Sequence, residues 1–544
     1  MKIENNKVRI WFPGILLIAI GILTFLYWAQ KKEIWFCDEV YSYESANGFE
    51  QPWPATFVDE WMSGQDVERF FSADSDRLSL REISVRLYSD HVPLYFWIFR
   101  MVSFWGFHGS GSIWIGLIIN LFFYLGVLWL AFWGYRKLTD SSLCAVLMVL
   151  GNSVINRLML EQAMTLRMYM MLLFEETILL LAAIWIMQKK EEGKLSIKGF
   201  VLLFICSLAG LLTHYDFWIF YAVAALVFCG WLFLQAIKSK AFFKCVEFKV
   251  MLAWVINFAC ALLLTIVVFP YCRWNLNRGK GEMALNSMFV FSKEKIDNIL
   301  WGYERQSQVV FGDKMPIFLG LLVLFGCVIG GIIVLHVKKE KKKAALLIAV
   351  ALVCQLYQWI VCFTFPAARE ERYLWGTYTI MVWLACYGAY LLLNCFRNKV
   401  KNTDNSRVLV SAGISVLMCV FIIVQIIIID HGRGVAYLFN EQKDLKVLEK
   451  SADIPWMVYG RVMDAYSYWD TLIPENICFL TEENTPEDRQ AVKNIPQSES
   501  FILYTTDNYL GQALDFFEET LQKELEVEEL TRSVNLKVYM INMK

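Results

Sequence analysis

Long uninterrupted apolar runs, separated by short polar connections, dominate the chain from residue 10 to residue 430. They cover Ile10 to Trp28 and then about 112–134, 142–158, 168–187, 199–214, 217–236, 250–270, 315–336, 344–366, 373–395 and 407–430. Most approach the roughly 20 residues with which a helix crosses hydrocarbon. The pattern predicts an α-helical polytopic membrane protein with about eleven transmembrane helices over residues 1–430. Residues 91–107 are apolar and aromatic but short, and Arg100 interrupts them. They read as a juxtamembrane helix, because counting them as a span would invert every later connection.

Charge orients this framework. Tyr135-Arg136-Lys137, Gln188-Lys189-Lys190, Lys238 to Lys249, Val337 to Lys343 and Arg397 to Arg407 are basic and fall at every second connection. Lys and Arg in short loops favour the cytoplasmic side. The reading puts those loops and the N-terminus in the cytoplasm. The first external loop (31–111), residues 157–167, the turn at His214, the external loop 271–314, the link Pro366–Arg372 and everything beyond Asp430 then lie outside. The first run has a basic flank but no small-residue cleavage site, so it is expected to be a retained helix.

After residue 430 the periodicity changes. Ile454 to Val458, Ile477 to Leu480, Phe501 to Thr505 and Leu536 to Ile541 read as short strands, with helical spacing over Val462 to Leu472 and Tyr509 to Glu526. Residues 431–544 are therefore expected to form a small external soluble α/β domain. Its acidic run Glu518 to Glu529 reads as a solvated helix face and linker.

Composition narrows the class. With 57% hydrophobic and 19% charged residues, and a mean hydropathy of +0.44, much of the surface must face lipid. A net charge of -1 supplies no basic face for nucleic acid. Most of the 14 cysteines lie inside apolar runs, as small core residues rather than a disulfide framework. No metal-ligand spacing is visible and no cofactor is expected, although a carboxylate pair has the chemistry to recruit a divalent cation.

Five polar clusters share the external side: Asp38-Glu39; Asp90-His91-Val92-Pro93; Arg167-Met168-Tyr169 following Glu161; Thr213-His214-Tyr215-Asp216; and Arg369-Glu370-Glu371-Arg372-Tyr373. Polar groups at membrane depth are costly unless paired or lining a cavity. Helices that end at one depth can gather all five around one site. The chemistry that fits is transfer of a sugar from a lipid phosphate: Arg372 and Arg167 can hold the anion, and Asp38 or Glu39 can take the proton of an attacking hydroxyl.

The runs Asp38-Glu39-Val40-Tyr41, Asp90-His91-Val92-Pro93-Leu94-Tyr95, Arg167-Met168-Tyr169 and Leu212-Thr213-His214-Tyr215 resemble the GT-C class of membrane glycosyltransferases. More narrowly, they are similar to the protein O-mannosyltransferase and lipid A aminoarabinose transferase family. The likeness covers the first half of the membrane region, and Arg372-Tyr373 extends it. It implies a polyprenyl-phosphate-linked sugar donor, inversion at the anomeric carbon, Asp38 as general base and Glu39 as its partner. It also implies that Arg167, Tyr169, His214 and Tyr215 face donor or acceptor and matches His91 to a family motif; His91, Arg372 and Tyr373 join them as candidate substrate-binding residues. Val92 stands where the family's His-Pro-Pro-Leu stretch has its first proline.

Two other classes compete. A transporter or flippase of lipid-linked glycans would also have many helices, but with inverted halves, broken helices and charges at the midplane. A receptor or assembly subunit would leave the acidic pair and both arginines without purpose. Sugar, acceptor and prenyl length are not legible in the chain.

Overall fold

In a computed structural model the described residues are 2–32, 37–47, 60–64, 78–87, 91–107, 111–399 and 451–544, less 276, 278, 289, 313–314, 365–368, 452, 461–474, 497 and 533–536, with scattered helical positions between 416 and 426. The eleventh expected span (407–430) and the expected helix Val462 to Leu472 fall largely or wholly outside them, as does Asp90.

Among the described residues, eight helices are long and apolar enough to cross a membrane: Trp11–Ala29, Trp114–Thr139, Tyr169–Glu191, Tyr215–Ala236, Val246–Val268, Ile317–Val337, Lys341–Thr364 and Glu371–Cys395. Two of the expected spans take other forms. Ile197–Thr213 is a shorter apolar helix. The run expected at 142–158 is a helix Ser142–Val149, a π-turn Leu150–Val154 and, after a 59° bend, a second helix Arg157–Met164. Side chains stabilise the break: Asn152 donates to the Tyr135 hydroxyl (2.7 Å) and Trp383 Nε1 donates to Ser153 Oγ (3.0 Å). A polar break inside a bundle needs such partners because lipid supplies none.

The helices do not share lipid contact evenly. Of the most apolar stretch of Val246–Val268, 22% is buried, against 72% for Tyr169–Glu191, which is therefore a central strut. Elsewhere small residues permit close crossing: a Cβ on Gly388 would lie 2.1 Å from the Cys327 carbonyl oxygen, so Ile317–Val337 and the helix Trp375–Lys399 pack backbone to backbone.

The basic connections gather at one end of the bundle. Lys342 pairs with Glu191 (2.6 Å), Lys190 lies 3.9 Å from Glu247, and the Tyr390 hydroxyl donates to the Thr139 carbonyl (3.3 Å). Residues of the first loop meet residues 166–167 and 372 at the other end. This is the alternation expected from the charge pattern.

The residues after 450 form a mixed sheet with strands β2 (Trp456–Tyr459), β3 (Asn476–Leu480), β4 (Ser500–Thr505), β5 (Leu525–Arg532) and β6 (Lys537–Met543). A two-residue strand β1 (Met62–Ser63) joins its edge, giving the order β1-β3-β2-β4-β6-β5. β2 pairs in parallel with β3 and β4, and the other pairings are antiparallel. The parallel strands are apolar on both faces, as buried parallel strands are. Met457, Tyr459 and Leu503 pack with the helices Pro486–Lys493 and Asp507–Leu521, whereas Val458, Phe479 and Ile502 continue the main core. The sheet is thus tied to the first loop. Met62 pairs with Ile477, and Trp61 Nε1 donates to the Ala491 carbonyl (2.9 Å).

The acidic run requires a correction. Its helix stops at Leu521, and Leu525–Arg532 is an edge strand rather than helix or linker. Pairing with β6 overrides the helical propensity of the Glu and Leu residues, and the exposed Glu526 and Glu528 guard a free sheet edge against association.

Candidate active site

The helix Cys37–Asn47 begins with Asp38 and Glu39 in its first turn, where the helix dipole favours carboxylates. One residue apart on a helix, the two point in different directions. Glu39 turns inward and is wholly buried; its Oε2 accepts from Lys32 Nζ (2.9 Å) and its Oε1 from the Leu166 backbone N–H (2.7 Å). Asp38 turns to the open side, with 22% of its side chain exposed, and its Oδ2 meets Arg372 Nη1 at 2.6 Å.

Arg167 lies in the bend between Arg157–Met164 and Tyr169–Glu191. Its Nη1 donates to the Asp38 carbonyl (2.9 Å) and to Ser42 Oγ (3.1 Å), and its Nη2 lies 3.0 Å from His91 Nε2. A guanidinium only donates, so His91 Nε2 is the acceptor. Ser42 in turn donates to the Leu166 carbonyl (3.2 Å). The first loop and the 165–167 bend are thereby locked together. Tyr95, one turn beyond His91, is fully buried, and burial pushes its hydroxyl well above its ordinary pKa.

His214 joins two helices, capping Tyr215–Ala236 by accepting the Asp216 N–H on Nδ1 (3.1 Å). Its ring lies 6.5 Å from that of His91, 6.0 Å from Tyr169 and 6.2 Å from Tyr373, the last stacked at 28°. Arg372 and Tyr373 sit on a short 3-10 turn, Glu371–Leu374, anchored where the Tyr357 hydroxyl donates to the Tyr373 carbonyl (2.8 Å). The Arg372 guanidinium stands 5.5 Å over the Tyr373 ring, and its Nη2 is 3.5 Å from Glu370.

Asp38, His91, Arg167, Tyr169, His214, Arg372 and Tyr373 therefore converge at one end of the bundle. Tyr215 faces elsewhere: its hydroxyl accepts from Asn275 Nδ2 at 2.6 Å, toward the 271–275 segment. No protein-family model and no curated protein sequence matches the chain. Solved structures do. ArnT from Cupriavidus metallidurans bound to undecaprenyl phosphate is similar over 97% of each chain, at 10% identity and a TM-score of 0.50. Its apo state gives 10% identity, the same coverage and a TM-score of 0.49. The oligosaccharyltransferase AglB from Archaeoglobus fulgidus, in complex with an inhibitory peptide and a dolichol-phosphate, gives 9% identity over 97% of this chain and 74% of that one, with a TM-score of 0.44. The chain has a GT-C-like fold.

Within that GT-C-like fold three contributors escape the sequence pattern. Lys32 reads as part of the polar end of the first helix, and only the fold brings it onto Glu39. Ser42 is the i+4 neighbour of Asp38 on its helix, a spacing that flags it weakly. Trp375, three residues after Arg372, packs edge-on against Tyr169 at 5.5 Å. Among the described residues no group of three or more His, Cys, Asp and Glu side chains is arranged to hold a metal ion. Chemically, the cluster presents a partly exposed carboxylate paired with a largely buried guanidinium, beside imidazole and phenol groups.

Proposed function

We propose that the chain is an integral membrane glycosyltransferase that moves a sugar from a polyprenyl-phosphate donor to an acceptor hydroxyl on the external membrane face. The observation that carries this reading is the 2.6 Å contact between Asp38 and Arg372, a base and an anion-binding cation joined across the chain at the mouth of a buried polar cluster. The fold is shared with ArnT, a protein solved with undecaprenyl phosphate.

In this proposal the donor phosphate takes the Arg372 guanidinium by a bidentate contact. Asp38 then exchanges its ion-pair partner for the acceptor hydroxyl. The acceptor oxygen attacks the anomeric carbon and passes its proton to Asp38, while the bond from that carbon to the phosphate oxygen breaks. The electron pair leaves with the polyprenyl phosphate. A single displacement inverts the anomeric centre. Arg167 and Glu39 position Asp38, and His91, Tyr169, His214 and Tyr373 shape the pocket. We assign no cofactor: both Glu39 oxygens are committed, to Lys32 and to the Leu166 N–H.

Glu175 and Glu176 favour a second reading. They are buried about 10 Å into Tyr169–Glu191 at 1.5 Å per residue, the kind of depth at which transporters carry charge. One experiment separates the two. Purified protein is given radiolabelled membrane lipid extract, alongside Asp38→Asn and Arg372→Ala variants. Release of sugar from prenyl phosphate that both variants lose supports the transferase; labelled lipid crossing vesicle bilayers without release supports the flippase.

A further inference from the structure

The helix Lys293–Phe311 carries its polar and apolar residues the wrong way round for a surface bathed in water. As far as Gln306 its buried positions are Lys295, Asn298, Gly302 and Gln306, while Ile296 and Leu300 are exposed, Leu300 at 61%. Lys293, Glu294 and Asp297 are exposed as well. With about 3.6 residues per turn, three stripes run along the helix. A polar one lies against the bundle, an apolar one passes through Ile296, Leu300 and Tyr303, and a charged one lies beyond it. An amphipathic helix in water buries its apolar stripe. Polar groups turn inward and apolar ones outward where the surroundings are lipid.

The neighbours of this helix give its depth. Thr364 ends the span Lys341–Thr364 at the Arg372 side of the bundle, away from the basic connections. Its carbonyl accepts from Ser287 Oγ (2.8 Å). Lys295 Nζ stands 4.0 Å over the ring of Phe363, and the Phe291 ring is 6.1 Å from the same ring. Farther along, the Tyr303 hydroxyl accepts from Trp359 Nε1 (2.6 Å) and donates to Gln355 Oε1 (2.7 Å). Gln355 is nine residues inside the end of that span, about 13 Å at 1.5 Å per residue. Trp359 and Leu352 are exposed on the face that this span turns to lipid. The helix thus starts at the edge of the hydrocarbon, and its apolar stripe continues the lipid-facing surface of the span. Met283, Leu285, Met288, Val290 and Phe291, all within four residues of Ser287, are exposed too, Phe291 at 75%. Two clamps fix the helix in place: Asn298 Oδ1 accepts from Arg369 Nε (3.0 Å), and Arg305 Nε donates to Glu371 Oε2 (2.8 Å). The helix and the turn that carries Arg372 therefore share one position.

We infer that the helix Lys293–Phe311 and the apolar residues before it form an interfacial arm seated in the leaflet on the Arg372 side, with the lipid surface as its partner. Phe291 and Leu300 lie among the acyl chains, and Lys293 and Asp297 at the headgroups. The seat holds whatever reaction Arg372 serves.

The test places the photocrosslinker benzoylphenylalanine singly at Phe291, Leu300, Glu294, Leu352 or Val527 in the full chain. Each variant is held as one copy per nanodisc of phosphatidylethanolamine and phosphatidylglycerol, and lipid adducts are read by mass after irradiation. Leu352 reports the lipid-facing side of a span, and Val527, on the edge strand Leu525–Arg532, reports water. Yields at Phe291 and Leu300 are expected to approach that at Leu352 and to exceed that at Val527 about tenfold, the order for a residue held in the acyl boundary rather than in water. Glu294, on the charged stripe, should label no more than Val527. Yields at Phe291 and Leu300 equal to that at Val527 overturn the seat, and so does equal labelling at Glu294 and Leu300. Polypeptide adducts in place of lipid adducts when native membranes are irradiated assign the face to a protein partner and overturn it too. Both arm positions carry exposed side chains, so either one carries the test should the other variant not fold.

Discussion

The two sides of the helix Cys37–Asn47 treat adjacent carboxylates in opposite ways. On the inner side Glu39 is shut away with Lys32 and a backbone N–H, every oxygen engaged. On the outer side Asp38 keeps contact with solvent and pairs with Arg372. A buried ion pair is fixed by the cost of separating it, whereas an open pair can exchange its partner for an incoming anion. The first arrangement suits a strut and the second suits chemistry. Sequence order alone makes Asp38 and Glu39 equivalent candidates; burial distinguishes them.

The largest expected effect tests that distinction directly. Asp38→Asn should lower transfer by about 10²–10⁴-fold, the range for loss of a general base, while thermal unfolding in detergent stays within a few degrees. Glu39→Gln should do the opposite, shifting unfolding strongly and lowering the turnover of folded protein far less. Equal turnover losses at equal stability would contradict the assignment of separate roles.

Next in size is the strut itself. Lys32→Met leaves the Glu39 carboxylate buried without its cation, a loss of about 3–5 kcal/mol for pairs of this kind. Adding Glu39→Gln should recover most of it, because the new amide oxygen still accepts the Leu166 N–H. Thermal unfolding of the two single variants and the double variant reads this coupling. A double variant destabilised by the sum of the two single losses would mean that the two side chains act independently.

The run 217–236 and the helix Tyr215–Ala236 nearly coincide, because crossing hydrocarbon depends on run length and apolarity, both written locally. The bend at 150–156 is not local: it depends on Tyr135 of the preceding helix and on Trp383, far away in the chain, arriving beside Asn152 and Ser153. The same holds at the site. Asp38, His91, Arg167 and Arg372 stand out as polar residues at the ends of apolar runs and meet in space, whereas Lys32 and the β1 strand at Met62 acquire their roles only through distant partners. For β5 the local signal points the wrong way, since Glu and Leu favour a helix until β6 supplies hydrogen bonds.

His214 and Tyr215 repeat the contrast of Asp38 and Glu39 at smaller scale, and give the smallest expected effect. His214 stacks on Tyr373 within the cluster, while Tyr215 turns away to take a hydrogen bond from Asn275. Tyr215→Phe deletes that one acceptor, about 0.5–1.5 kcal/mol for an ordinary hydrogen bond, and leaves the stacked rings in place. It should therefore loosen the segment at 272–275, seen as faster protease cleavage there, while kcat for transfer changes by less than about twofold. His214→Ala removes both the stacking and the cap on the Asp216 N–H, at about 0.5–2 kcal/mol for the cap alone, and should lower kcat more than Tyr215→Phe does. A larger kcat loss from Tyr215→Phe would place the Asn275 side, and not the His214 side, at the reacting centre.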